Sequence, residues 1–171
     1  PEVAIQKLLT YKRECIDREI DQKEIITKPQ TVAREKPKNV FRVPEQVEFY
    51  DYQKKAIDKW EEVGFQGIFD MATGAGKTFT ALGALSRLSE KLKDNIGVII
   101  LCPYQHLVEQ WVEDINRFNV KPLICYSKYD WKKKFKLLIN DFKLGVKQNF
   151  CIIMVNGSYS TSYTQDILKT V

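Results

Sequence analysis

Apolar residues in this chain recur with two alternating periods, and their order predicts the architecture. Over residues 3–25, Ile5, Leu8, Leu9, Ile16 and Ile20 fall on roughly one helical face among charged positions, which predicts an amphipathic helix. Residues 27–45 carry Pro29, Pro37, Pro44 and several lysines and read as a linker. A helix is predicted over 52–63, with Asp51 placed to cap it. A short strand is predicted over 67–70, a helix over 77–92 and a near-continuous apolar strand over 96–102. A helix over 105–118, with Leu107, Val108, Trp111, Ile115 and Phe118 inward, leads to a strand over 122–126. A lysine-rich helix or broken pair spans 130–147, a buried strand 150–155, and a last helical segment 164–170. Strands with unbroken apolar runs are covered on both faces. Alternating strands and helices joined by right-handed crossovers give an α/β fold, a parallel sheet with helices on both faces. Two regions are expected: an N-terminal helix and linker over 1–44, and the sheet-bearing region over 45–171.

Composition narrows this only slightly. A chain of 171 residues, 44% hydrophobic and 29% charged, suits one domain with a core and excludes a disordered or fibrous chain. No apolar run approaches the roughly 18 residues of a membrane helix, so no membrane partner is expected. The net charge is +5, unevenly spread: residues 1–70 hold 13 basic and 14 acidic residues, and 71–171 hold 14 and 8. Much of the excess is Lys128, Lys132, Lys133, Lys134, Lys136, Lys143 and Lys147. They form either a solvated helix face or a track for a phosphate backbone. Cys15, Cys102, Cys125 and Cys151 form no CxxC, and His106 is the single histidine, so zinc-site spacing is absent. Three of these cysteines lie in apolar strands, as small buried residues of a reducing compartment would. A cytoplasmic location is the expectation.

The strongest chemical signal is Met71-Ala72-Thr73-Gly74-Ala75-Gly76-Lys77-Thr78, between a predicted strand and a predicted helix. That context turns a Gly-Lys-Thr run into a phosphate-loop hypothesis. Gly74, Ala75 and Gly76 would form a nest of amide N–H groups, aided by the helix N-terminus. Lys77 would reach the β- and γ-phosphates, and the Thr78 hydroxyl would ligate Mg²⁺. Met71 departs from the Gly or Ala that usually opens the pattern. Upstream, Gln53 offers one donor and one acceptor matching the adenine N6 and N7 edge, with aromatic neighbours able to stack on a base. A surface glutamine at a helix start is the plainer alternative. Trp60, Trp111 and Trp131 read as packing residues.

Tyr52-Gln53, the run Ile68 to Thr78, Leu101-Cys102-Pro103 and Leu107-Val108-Glu109-Gln110-Trp111 together resemble the first motor domain of superfamily 2 helicases. Within it, the chain is most similar to type I and type III restriction-enzyme motor subunits and their DEAD/DEAH-like relatives, over residues 45–160. The resemblance implies an incomplete RecA-like P-loop NTPase lobe that binds ATP and Mg²⁺. It implies that Gln53 recognises adenine and that Met71 to Thr78 is the ATP phosphate loop, with Thr73, Gly74, Ala75, Gly76, Lys77 and Thr78 in contact. It further implies that Pro103, Tyr104, Gln105 and His106 touch a nucleic-acid backbone. Asn156, Gly157, Ser158 and Tyr159 hold the place of a further nucleic-acid motif, of which Ser158 is the candidate contact; helix capping is the alternative there.

Motors of this kind also need an Asp-Glu pair ending a later strand, and no adjacent Asp-Glu occurs in this sequence. Together with Pro1 at the start, this leads us to expect a fragment that holds the phosphate loop without the hydrolytic acids. Its partners would be the second motor lobe of the same chain, double-stranded DNA, and subunits of a restriction system. The alternatives are another P-loop enzyme such as a small-molecule kinase, or a non-catalytic nucleotide- or DNA-binding module. A guanine-specific switch would carry Asn-Lys-x-Asp, which is absent.

Overall fold

Three parallel strands form the sheet of the computed structural model, which describes residues 39–171. These belong to one compact unit, Lys36–Val171. The helix expected over 3–25 and most of the linker lie outside the described residues. The elements are α1 (Asp51–Glu62), α2 (Lys77–Lys91), β1 (Ile96–Cys102), α3 (Gln105–Arg117), β2 (Leu123–Cys125), α4 (Lys132–Lys143), β3 (Asn149–Val155), α5 (Asn156–Tyr159) and α6 (Ser162–Leu168). The strand order is β1-β3-β2. β3 pairs with β1 along its whole length, from Ile96↔Asn149 to Cys102↔Val155, and with β2 from Leu123↔Ile152 to Cys125↔Met154.

Side-chain alternation on the central strand builds two cores. Cys151 and Ile153 face one side with Val98, Leu82 of α2, and Val108 and Ile115 of α3. Phe150, Ile152 and Met154 face the other with Phe135 and Ile139 of α4, backed by Ile167 and Leu168 of α6. This period-2 division is what a strand buried on both faces requires. Trp131 is buried, and Trp60 and Trp111 are half-buried; Trp111 and Trp131 pack into these cores as expected.

Two expectations are corrected. Residues 67–70 form no strand: Gly67 takes φ +140°, Asp70 N–H donates to the Ile68 carbonyl at 3.1 Å, and Ile68 is 92% exposed. Two apolar residues are too few to hold a ladder, and Phe69 packs beside Trp60 instead. Asp51 does not cap α1 but stands in its first turn. The N-cap is Tyr50, whose amide donates to Gln53 Oε1 at 2.9 Å. Gln53 thus satisfies an otherwise unpaired donor at the helix entrance, half of a capping box.

α1 lies close on α2 because Gly83 leaves room. A Cβ at Gly83 would sit 2.5 Å from Phe49 Cζ and 3.1 Å from Ile57 Cδ1. Along the same seam Arg87 pairs with Asp58 and Glu61, and Lys91 Nζ pairs with Glu61 at 2.9 Å. Below α2 the chain turns through Lys93 and Asp94, both in the left-handed region. There Arg42 grips Asp94 with two hydrogen bonds, of 2.9 and 2.7 Å, while its own amide donates to the Phe118 carbonyl. This fork ties the entering strap to the ends of α2 and α3.

The Arg42 hydrogen bonds, helped by Ser89, hold the Asp94 carboxyl below its ordinary range against a smaller opposing effect of burial. A depressed carboxyl contributes stability above its unfolded value of about 3.9 and loses it as pH falls through the lower folded value. Because the pair is partly solvated, Asp94→Asn is expected to cost on the order of 1 kcal/mol at neutral pH. The gap to wild type should close as pH drops below about 4; urea unfolding across pH checks this, and a gap independent of pH would contradict it.

Candidate nucleotide and nucleic-acid site

The glycine-rich loop is shaped from behind by α1. Gln53 is 4% exposed, and its Nε2 donates to the carbonyls of Ala75 at 3.3 Å and Gly76 at 3.4 Å. Tyr52 OH donates to the same Ala75 carbonyl at 3.2 Å. Thr80, fully buried one turn into α2, donates its hydroxyl to Gly76 O at 3.1 Å and its amide at 2.9 Å. A planar trans peptide sets each C=O opposite the next N–H. Pinning these carbonyls toward α1 and α2 therefore turns the amides of Gly76 and Lys77 the other way.

Those amides are free to bind. Among the described residues, the N–H groups of Gly74, Gly76, Lys77 and Thr78 donate to no protein acceptor, while Ala75 N–H closes a turn onto Ala72 O at 3.2 Å. Gly74 (φ +82°) and Gly76 (φ +73°) adopt the left-handed conformation that lets successive amides converge. A Cβ at Gly74 would meet nothing within 4 Å, so the loop is open to solvent there. Exposed Lys77 extends Nζ over the loop to the Met71 and Ala72 carbonyls, at 2.8 and 3.0 Å. Free amides, a lysine and the N-terminus of a fifteen-residue helix are the chemistry a polyphosphate requires. The half-buried Thr78 lies at the entrance of α2. No three His, Cys, Asp or Glu side chains cluster among the described residues. A magnesium ion would therefore draw on Thr78, phosphate oxygens and water.

The candidate nucleic-acid residues gather at one edge of the sheet. Pro103 to His106 follow β1 and Asn156 to Tyr159 follow β3, and register pairs Cys102 with Val155. The two connections are thus neighbours at the carboxyl ends of the strands. The short return from α2 into β1 brings the entrance of α2, with its loop, to this same edge. Pro103, Tyr104, Gln105 and His106 are all exposed. The rings of Tyr104 and His106 stack at 5.6 Å and 8°. Ser158 is half-buried, and its carbonyl accepts from the hydroxyls of Thr161 and Thr164 at 2.9 and 2.8 Å. Neither Asn156 nor Ser158 is a helix cap: the N-cap of α5 is Val155, and that of α6 is Thr161, whose hydroxyl accepts from the Thr164 amide.

The lysine-rich stretch does not form one track. α4 runs back from the carboxyl edge, so Lys128, Lys132 and Lys133 stand near that edge while Lys143 and Lys147 reach the opposite one. Lys128 pairs with Glu109 at 3.0 Å, and Tyr126 donates to the same oxygen at 2.9 Å. These partners, Lys128 foremost, hold the Glu109 carboxyl below its ordinary range. Burial raises the Cys125 and Cys151 thiols to about 12, which removes them as nucleophiles at neutral pH. Sequence reasoning did not foresee the Tyr52 hydroxyl or Thr80 as supports of the loop; their signal was only proximity to Gln53 and Lys77.

A glycine-rich loop opening a helix at the carboxyl edge of a parallel sheet defines a RecA-like P-loop nucleotide-binding lobe. Residues 46–165 match the family described as "Type III restriction enzyme, res subunit". The chain belongs to this family, a superfamily 2 helicase and translocase domain found in restriction-enzyme motor subunits. No curated protein matches the chain at a significant level.

At Gly76 a Cβ would lie 2.6 Å from Gln53 Nε2 and face a positive φ. Gly76→Ala is accordingly expected to dislodge the Gln53 anchor and to weaken triphosphate binding by roughly tenfold or more. Calorimetric titration with ATP–Mg²⁺ checks this; unchanged affinity in a folded variant would contradict it.

Proposed function

We propose that this chain is the nucleotide-binding part of an ATP-driven DNA translocase or helicase, serving a restriction or DNA-repair system. The observation that carries the reading is the loop: four amides with no protein acceptor among the described residues and Lys77 over the loop, all at the sheet edge that presents Pro103 to His106. Thr73 to Thr78 would hold the β- and γ-phosphates, with Thr78 on Mg²⁺. When bound, the ion would neutralise phosphate charge and fix its geometry. Lys77 would exchange the Met71 and Ala72 carbonyls for phosphate oxygens, a stronger charge-assisted contact.

Gln53 supports nucleotide binding chiefly through the loop, because its amide is already committed to Ala75 and Gly76 and its oxygen to Tyr50. A direct adenine contact would require it to leave those carbonyls. Tyr50 and Tyr52 stack at 5.6 Å, 68% and 48% exposed, and offer ring faces to a base. Pro103, Tyr104, Gln105, His106 and Ser158 would meet the DNA backbone, with Lys128, Lys132 and Lys133 adding charge. Hydrolysis needs a positioned water as well as a phosphate cradle. With no adjacent Asp-Glu in the sequence, this chain by itself would bind ATP and turn it over negligibly, and the second motor lobe and restriction-system subunits would complete the machine.

Lys77→Ala is expected to lower ATP–Mg²⁺ affinity by roughly tenfold or more, the worth of a charge-assisted phosphate contact. Equal binding by wild type and variant would remove the central support. Duplex DNA should bind weakly, with affinity falling steeply as salt rises. Anisotropy titrations over a salt series measure this, and no binding at low salt would refute the nucleic-acid part.

A further inference from the structure

The connection that follows β2 is built into the same edge as Pro103 to His106. Gln105 and Glu109 stand one turn apart on α3 and so share a face of that helix. Both meet the connection. Gln105 Nε2 donates to Ser127 Oγ at 3.5 Å, and Glu109 Oε1 accepts from Tyr126 OH at 2.9 Å and from Lys128 Nζ at 3.0 Å. Lys128 therefore stands beside the first turns of α3, next to the candidate backbone contacts. Of the three lysines near this edge, Lys128, Lys132 and Lys133, it alone makes an ion pair among the described residues.

One carboxylate oxygen thus takes two donors that differ in kind. Tyr126 is 1% exposed, so its hydroxyl reaches Glu109 from the core and fixes where the carboxylate sits. The Lys128 ammonium arrives from solvent, on a side chain 63% exposed, and the Glu109 side chain is 55% exposed. Water and salt screen such a pair, so it is weak. A nucleic-acid phosphate carries the same single charge as a carboxylate, and its binding also releases condensed counterions. An ammonium with a neighbouring hydroxyl is a donor set that phosphate oxygens use. The exposed Ser127 supplies such a hydroxyl next to Lys128.

We propose that Ser127 and Lys128 form a phosphate subsite of the nucleic-acid edge, and that in the free chain the Glu109 carboxylate takes the place of the phosphate there. The subsite rests on the nucleic-acid reading of Pro103 to His106 and adds to it a residue that opposes binding. A phosphate must displace Glu109 from Lys128, so the lysine contributes less to affinity than its charge would give if it were unpaired. A plain staple between α3 and the connection is the other use of such a pair. A staple would act on stability and leave nucleic-acid binding indifferent to Glu109.

The test is a fluorescence-anisotropy titration of the 171-residue chain with a short fluorescein-labelled DNA duplex over a salt series. Glu109→Gln removes the charge but keeps an oxygen for the Tyr126 hydroxyl, so the variant should keep the wild-type circular dichroism. Its affinity is expected to rise roughly two- to fivefold. The slope of log affinity against log salt should steepen by about 0.9, as for one added phosphate contact. Glu113→Gln is the charge control: Glu113 is exposed one turn further along α3 and makes no ion pair among the described residues. It should leave affinity and slope near wild type. Lys128→Ala should cost little on its own and abolish the gain when combined with Glu109→Gln. Unchanged or lower affinity in Glu109→Gln, an equal gain in Glu113→Gln, or the same loss from Lys128→Ala in both backgrounds would overturn the proposal. If neither wild type nor Glu109→Gln binds the duplex at low salt, the nucleic-acid reading of the edge itself fails, and the subsite with it.

Discussion

Two backbone carbonyls carry most of the weight in this molecule. Ala75 and Gly76 are held from behind by Gln53, Tyr52 and Thr80. Peptide planarity converts that hold into the outward aim of the next amides. A loop of glycines is otherwise the most conformationally free stretch a chain can have. An anion site built from it would be disordered unless something fixed the peptide planes beforehand. Here the fixing group is the buried amide of a glutamine, which also closes the entrance of its own helix through the Tyr50 amide. Helix capping and loop orientation are therefore one interaction seen from two sides.

This arrangement depends on α1 being held close to α2. Gly83 removes the one side-chain atom that would push Phe49 and Ile57 away. The ion pairs of Arg87 and Lys91 with Asp58 and Glu61 line the same seam. Those pairs are partly exposed and individually worth little; the close packing at Gly83 and buried Ile57 sets the distance. The sheet then supplies the second half of the site. Because β1 and β3 end in register, their following connections stand side by side, next to the entrance of α2. A phosphate loop and a candidate polymer-binding edge on one rim is the geometry a motor needs to let one ligand influence the other.

Much of this fold is legible in the amino-acid sequence. The alternation of apolar runs and amphipathic stretches announces three of the strands and the helices between them, since burial on both faces leaves a strand no polar positions. The Gly74–Thr78 run is legible because left-handed backbone and close phosphate approach both demand glycine. Other features are not. The run 67–70 carries strand-like residues but too few of them, and whether such a piece pairs depends on neighbours that local pattern does not encode. Asp51 has the right chemistry for a cap, yet Gln53 reaches the free amide from inside the helix. Gln53 resembles a surface group in sequence because its burial comes from α2 and the loop, more than twenty positions away. The lysines of 128–147 resemble one basic track because sequence distance hides the reversal of α4, which carries them to opposite edges of the sheet.

The role proposed for Gln53 is to act on a nucleotide through the loop whose carbonyls it holds. Isothermal titration of wild type and Gln53→Ala with ATP–Mg²⁺, and in parallel with inorganic tripolyphosphate–Mg²⁺, separates loop from base most directly. If Gln53 orients the amides, the variant loses affinity for both ligands by a similar factor, since tripolyphosphate carries no adenine. A variant that binds tripolyphosphate as wild type does, yet loses ATP, would show that Gln53 reads the base and that the loop holds its shape without it.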